Sequence, residues 1–254
     1  MTKHMADKVA LVTGSGSGIG RGVALVFARE GAKVVVTGRN SGNGEETVDM
    51  IKKDGGDAIF IRADLLQSSQ VEELISRTVD VYGRLDYACN NAGVAGTRVP
   101  LVEFPEDQWD HVIDIDLKSV WLCMKYEIPQ MLKQGKGAIV NISSAAGLKP
   151  NKGSTAYSSA KHGVIGLTKM AALEHAEQGI RVNTVCPGAV RTPFVDDLCK
   201  KHPEREEWYI STTPMRRMGT PLEIGEAVVW LCSDAASYIT GVTLPVDGGT
   251  TQLF

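Results

Sequence analysis

The sequence has no apolar run close to the roughly 18–20 residues that a helix needs to cross a bilayer, so a membrane span is not expected. It has no surplus of either charge: 27 Lys+Arg stand against 30 Asp+Glu, for a formal net charge of −3. A nucleic-acid partner is therefore not expected, nor is an acidic or basic interaction tail. Cysteines are few and odd in number (Cys89, Cys123, Cys186, Cys199, Cys232), and no pair has C-x-x-C spacing. That excludes a disulfide framework and a zinc site as first readings, and it places the chain in a reducing compartment, the cytoplasm. The start, Met1 to Lys8, is polar and is not expected to act as a secretory signal. His4, His111, His162, His175 and His202 show no metal-ligand spacing, and no G-x-S-x-G nucleophile elbow occurs. The hydrophobic fraction of 43% and charged fraction of 22% are those of an ordinary globular protein.

What the sequence has is rhythm. Short apolar runs recur at Val9–Val12, Val34–Thr37, Ala58–Ile61, Leu85–Cys89, Ala138–Ile142, Val182–Cys186 and Val242–Val246. They are nearly continuous rather than alternating, as strands buried on both faces of a parallel sheet are. Helical patterns lie between them. Gly31 and Gly179 stand where helices would stop. Ser69 with Glu72 and Thr220 with Glu223 fit capping boxes, the second with Pro221 in the first turn. The pattern from Glu106 to Lys133 is long, and Pro129 within it predicts a kink or break there. Repeated βα units with right-handed crossovers predict an α/β, Rossmann-type, doubly wound sheet of seven parallel strands in the order 3-2-1-4-5-6-7. No linker or internal repeat divides residues 1–254, so one domain is expected. Residues 191–219 break the rhythm, being polar with Pro193, Pro203 and Pro214 and without a strand signal. They read as a helical flap over a site, or as a plain surface excursion.

After the first run comes Thr13-Gly14-Ser15-Gly16-Ser17-Gly18-Ile19-Gly20. A strand, a glycine-rich turn and a helix start form a dinucleotide cradle: glycines let the backbone approach a pyrophosphate, and the helix N-terminus offers free N–H groups. The strict G-x-G-x-x-G spacing is not met; the glycines are Gly14, Gly18 and Gly20. The second run ends Gly38-Arg39-Asn40, with no acid to hold ribose hydroxyls, and a guanidinium suits the 2′-phosphate of NADP. NADP is favoured over NAD on that residue, although a surface arginine at a strand end would look the same.

Tyr157 and Lys161 are four residues apart at the start of a helical pattern and share one face. A phenol is a poor base at neutral pH, with a pKa of about 10. A neighbouring ammonium favours the phenolate, which suits proton exchange with a substrate oxygen. Y-x-x-x-K alone also fits a solvated pair. Trp121 and Trp230 read as core or subunit-contact residues, and Trp208 as a possible pocket residue. Asp114 and Asp116 are two apart on a helix, so they face different ways and form no acid–base couple.

Taken in order, the Thr13–Gly20 turn, Asp64, Asn90-Asn91-Ala92-Gly93, Asn141-Ile142-Ser143-Ser144, Tyr157-x-x-x-Lys161 and Pro187-Gly188-x-x-x-Thr192 resemble the short-chain dehydrogenase/reductase family, across essentially the whole chain. The resemblance implies a dinucleotide held by Gly14, Ser15, Ile19 and Gly20 at the pyrophosphate, and Ser17, Gly18, Arg39 and Asn40 are further expected cofactor contacts. Asp64 and Leu65 would flank the adenine. Asn90, Asn91, Ala92 and Gly93 would line the channel, and Pro187, Gly188, Val190 and Thr192 the nicotinamide. It further implies that Ser144, at the family's spacing from Tyr157, bonds the substrate oxygen, with Ser143 the lesser choice. Tyr157 would exchange the proton, and Lys161 would hold the nicotinamide ribose and favour the tyrosinate. Asp116 stands where the family has an asparagine that helps hold a proton-relaying water. An aspartate can accept from that water but cannot donate, and when ionised it favours a charged lysine, so an altered pH profile is expected. The resemblance also implies a homotetramer built through the long helices and the last strand; residues 241–254 are apolar enough for a contact surface, as a tail buried within one subunit would also be. The function so implied is hydride transfer between NADP or NAD and a small carbonyl or alcohol substrate. The alternative is a weak or silent dinucleotide-binding sensor of the same fold, which only Asp116 favours. A sugar epimerase is disfavoured by length and by the glycine spacing.

Overall fold

The computed structural model describes residues 4–252. The reading of Met1–Lys3 and of Leu253–Phe254 lies outside them. Seven strands, β1 (Val9–Thr13), β2 (Lys33–Gly38), β3 (Ala58–Arg62), β4 (Tyr87–Asn90), β5 (Gly137–Ile142), β6 (Ile180–Pro187) and β7 (Thr243–Val246), form one sheet. Their order is β3-β2-β1-β4-β5-β6-β7 and every pairing is parallel. β1, β4 and β5 are buried along their whole length, which is why their sequences run apolar without alternating.

Helices cover both faces. α1 (Gly18–Arg29), α2 (Ser41–Lys53) and α9 (Pro221–Cys232) close one face, where Val23, Phe27, Ile224 and Val228 pack on Val12, Val36 and Val140. α3 (Ser68–Tyr82), α5 (Ser119–Gln134) and α6 (Thr155–His175) close the other, around Leu11, Val35, Leu85, Ile139 and Met131. α4 (Glu106–Ile113) runs into α5 through a π-helical turn at Asp114–Lys118. α7 (Pro193–Lys201) and α8 (Pro203–Ser211) lie in the segment between β6 and α9, so that segment is largely helical.

Two local expectations need correction. Pro129 neither breaks nor ends its helix; it lies inside α5. Pro129 and Lys125, whose carbonyl loses its helical partner to the proline, are both exposed, so the helix tolerates it. The irregularity falls instead at the π turn, which the sequence gives no proline or glycine to mark. Ser69 does not cap α3, which starts at Ser68 after Gln67 with no side-chain cap. The preceding turn is held by Asp64, whose Oδ1 accepts from Leu66 N, and by Gln70, whose Oε1 accepts from Asp64 N. The second capping box is present: Thr220 and Glu223 bond reciprocally at the start of α9. Gly31, at φ 96°, and Gly179, at φ 80°, occupy left-handed positions at helix ends, where a Cβ is disfavoured. Trp121 and Trp230 are not core residues, being 46% and 44% exposed.

Candidate active site

A cleft of about 880 Å³ opens along the carboxyl ends of the strands and under α7 and α8. In open α/β sheets this edge is where strand ends and helix N-termini converge. The cleft joins nearly all of the sequence-predicted residues: Gly14, Ser17, Gly18, Ile19, Arg39, Asp64, Leu65, Asn91, Ala92, Gly93, Asp116, Ser144, Tyr157, Lys161, Pro187, Gly188, Val190 and Thr192. Trp208 lines it as well.

The glycine turn is built by close approach. A Cβ on Gly14 would stand 2.9 Å from Ala92 Cα, and one on Gly20 would strike the Gly14 carbonyl. Gly14 and Gly18 have φ of 63° and 54°. Thr13 Oγ1 accepts from Asn91 N at 2.9 Å and Ala92 N at 3.1 Å, and Asn91 Nδ2 donates back to Thr13 O at 2.9 Å. These bonds bind the end of β4 to the turn after β1. At Ser17, the N-cap of α1, the side chain makes no cap hydrogen bond, and the first turn holds no acid. The N-terminal N–H groups of α1 are therefore left for an outside acceptor.

Four predicted residues lie outside the lining. Ser15 is buried, donating to Val12 O at 2.6 Å and accepting from Thr37 N at 3.0 Å, so it locks the turn to β2. Gly20 lies under the turn. Asn40 caps α2 by accepting from Asn43 N. Asn90 turns into the core, donating to Asn141 Oδ1 at 3.0 Å and Glu127 Oε2 at 3.1 Å.

Around Tyr157 the side chains form a buried charge pair. Lys161 Nζ lies 5.6 Å from the Tyr157 ring centroid. It donates to Ile142 O at 3.3 Å and faces Asp116 Oδ2 at 3.4 Å, and the two side chains are 4% and 0% exposed. The 3.4 Å approach is an ion pair without hydrogen-bond geometry, so Oδ2 keeps an unfilled acceptor site. Asp116 Oδ1 accepts from Val94 N at 2.7 Å. Burial pushes the Asp116 carboxyl above the usual carboxylate range, while the Lys161 ammonium and the Val94 N–H pull the other way. Asp114 points elsewhere, to Lys118 at the surface. Gly93 leaves this pair uncovered; a Cβ there would stand 3.3 Å from both Asp116 Oδ1 and Lys161 Nζ.

The two serines after β5 differ in what they offer. Ser143 is buried and donates to Lys161 O at 2.8 Å, so its proton is committed. Ser144 Oγ accepts from Ala146 N at 3.1 Å, which leaves its own proton free toward the cleft. Arg98, Lys149, Asn151, Arg205 and Thr250 also line the cleft. They come from loops and from α8, and no motif or periodicity in the sequence marks them.

Comparison with known proteins agrees with this geometry. The family described as enoyl-(acyl carrier protein) reductase matches residues 14–251. An Aspergillus oryzae protein named short chain dehydrogenase/reductase is 42% identical over 252 residues, covering 98% of this chain and 97% of that one. A cyclohexanol dehydrogenase of Acinetobacter sp. is 40% identical over 252 residues, covering 99% and 98%. Among solved structures, levodione reductase superposes with a TM-score of 0.94 at 35% identity, covering 98% of this chain and 100% of that one.

Proposed function

The chain belongs to the short-chain dehydrogenase/reductase family, and from that premise we propose that it moves a hydride between a nicotinamide dinucleotide and a secondary alcohol or ketone, with Tyr157 exchanging the proton. It is an oxidoreductase acting on CH–OH groups. The observation that carries the finer reading is the joining, in one cleft, of an uncapped helix N-terminus behind a glycine turn with the Tyr157–Lys161–Asp116 cluster.

The residues present fit a dinucleotide. The glycines of the turn leave no side chain over the α1 N-terminus, and the free N–H groups there suit a pyrophosphate. Gly14, Ser17, Gly18 and Ile19 would hold that group, with Ser15 and Gly20 shaping the turn from behind. Asp64 and Leu65 would flank adenine; Pro187, Gly188, Val190 and Thr192 would face the nicotinamide. When bound, the cofactor supplies or accepts the hydride.

The protein's own side chains then manage the proton. Ser144 donates its free hydroxyl hydrogen to the substrate oxygen and orients it. Tyr157 gives its phenolic proton to that oxygen in reduction and takes it back in oxidation. Lys161 places a positive charge beside the phenol and so favours its ionised form. Asp116 pairs with Lys161 and accepts from Val94 N, so it ties the loop after β4 to the lysine.

NADP is the favoured cofactor. Arg39 lines the cleft at the end of β2, and its side chain has no hydrogen-bond or ion-pair partner among the described residues. Arg21, the other basic residue near the turn, is taken by Gly16 O, Thr47 Oγ1 and Glu46. The relatives named cyclohexanol dehydrogenase and levodione reductase support a small-molecule substrate. Buried free thiols at all five cysteines suit the cytoplasm. Exposed Trp121, Met170, Leu173 and Trp230 on α5, α6 and α9 suit burial between subunits of a homotetramer.

The test is a ketone and alcohol panel run separately with NADPH and NADH, followed by nicotinamide absorbance. Turnover with NADPH preferred is expected, and Arg39→Asp should swing the preference toward NADH. Dinucleotide binding without turnover of any member would overturn the reductase reading.

A further inference from the structure

The two ends of the cleft differ in charge. Its acidic lining residues are Asp64, at the β3 edge of the sheet, and Asp116, held by Lys161. The end covered by α7 and α8, between β6 and β7, has no carboxylate in its lining among the described residues. It has guanidiniums instead. The arginine side chains without a hydrogen-bond or ion-pair partner among the described residues are Arg39, Arg77, Arg98 and Arg205, and all but Arg77 line the cleft.

Arg39 belongs to the β2 end. Arg98, from the loop after β4, and Arg205, from α8, line the rest of the cleft. Arg98 lies in the loop after β4, beside the Gly153 turn, to which Val99 N bonds at 3.1 Å. Arg205 lies on α8, with Trp208, Tyr209 and Thr212 at the i+3, i+4 and i+7 positions that share one helix face. The other arginines of this segment are all engaged. Arg191 pairs with Asp196 and Glu206, Arg216 donates to Ser211 O, and Arg217 pairs with Glu223. In a chain of net charge −3, with acids on either side of Arg205 in sequence, two unpartnered guanidiniums facing one apolar-walled cavity are a selective arrangement.

We propose that this end of the cleft takes an organic anion: a ketone or secondary alcohol whose apolar body carries a carboxylate, held by Arg98 and Arg205. The proposal rests on the oxidoreductase reading of the same cleft. A guanidinium presents parallel N–H donors matched to a carboxylate, and such charge-assisted bonds are the strong ones. A neutral ketone would give the half-buried Arg205 no charge-assisted bond in exchange for its water, and would leave Arg98 unpaired, so the arrangement discriminates against it.

The experiment titrates the NADPH-loaded enzyme calorimetrically with acetylbenzoate, its methyl ester and acetylphenyl phosphate, and measures kcat/KM for each. The acid should bind about ten-fold more tightly than the ester, the scale of one charge-assisted hydrogen bond. Arg98→Gln and Arg205→Gln should each remove most of that preference while leaving ester binding unchanged. Equal or tighter binding of the ester, failure of every probe to bind, or a preference that survives both substitutions would overturn the proposal. Tighter binding of the phosphate than of the acid would overturn the carboxylate assignment. Failure of the underlying reading looks different: the acid would still bind better than the ester, yet neither ketone would oxidise NADPH.

Discussion

Two carboxylates, Asp116 and Glu127, lie about three turns apart on one interrupted helix, and both are sealed from solvent. The region around Asp116 sets an ammonium against the carboxyl, with a backbone N–H on the other oxygen. The region around Glu127 sets only an amide against it. Asn90 Nδ2 donates to Oε2 at 3.1 Å, Oε1 has no partner, and the nearby thiols of Cys89 and Cys123 are themselves buried. Burial pushes the Glu127 carboxyl up to about 7. The first pair borders the cleft and the second lies behind β4. A buried acid with a cation is a charge relationship that loss of either member breaks; a buried acid without one is a neutral group that ionisation disturbs.

The largest expected effect comes from breaking the first arrangement. Asp116→Leu strands Lys161 as an uncompensated buried charge, and removing one partner of such a pair costs about 3–5 kcal/mol. Glu127→Leu strands no charge, and Asn90 keeps its bond to Asn141, so a cost within about 1 kcal/mol is expected. Urea denaturation of both variants measures the contrast, and equal costs would remove the distinction between the two regions.

The next effect is pH dependence at Glu127. The folded value lies above the ordinary glutamate value of about 4.5, so the native state holds more protons than the unfolded state between about 4.5 and 7. Stability from this group is therefore fully present below about 4.5 and falls as pH rises through about 7, by roughly 3 kcal/mol at most. Glu127→Gln should abolish that fall and be more stable than the parent at pH 8 but not at pH 4. The same dependence in both proteins would place its origin elsewhere.

The smallest effect, read in the pH profile of catalysis rather than in stability, sharpens the other side. Asp116→Asn keeps the shape and the acceptor for Val94 N but removes the counter-charge to Lys161. The parent should lose kcat/KM as pH falls through the raised range of Asp116, and the variant should lack that acid limb. An unchanged profile would leave the carboxylate no role beyond shape.

The contrast also shows what a linear sequence carries. The sheet order, the glycine turn and the Tyr157–Lys161 pair were legible because each is local: continuous apolar runs, residues a few positions apart, one helix face. Asp116 was legible because it departs from a family pattern. Ser15 and Asn90 sit inside the expected motifs, yet their side chains turn away from the cleft to bond β2 and the core, and only the packing decides that direction. The capping of α3 was missed because Asp64 and Gln70, rather than Ser69, tie the turn before it, and the π turn has no proline or glycine to mark it. Arg98 and Arg205 were invisible for another reason. An arginine's meaning lies in whether it is paired, and pairing is a property of the fold.

The direct measurement is the turnover of Tyr157→Phe on a ketone that the parent reduces, with NADPH binding followed separately by nucleotide fluorescence. If Tyr157 exchanges the proton, the variant should bind NADPH as the parent does and lose at least about a hundred-fold in kcat. Reduction at the parent rate by a phenylalanine that has no proton to give would contradict the account.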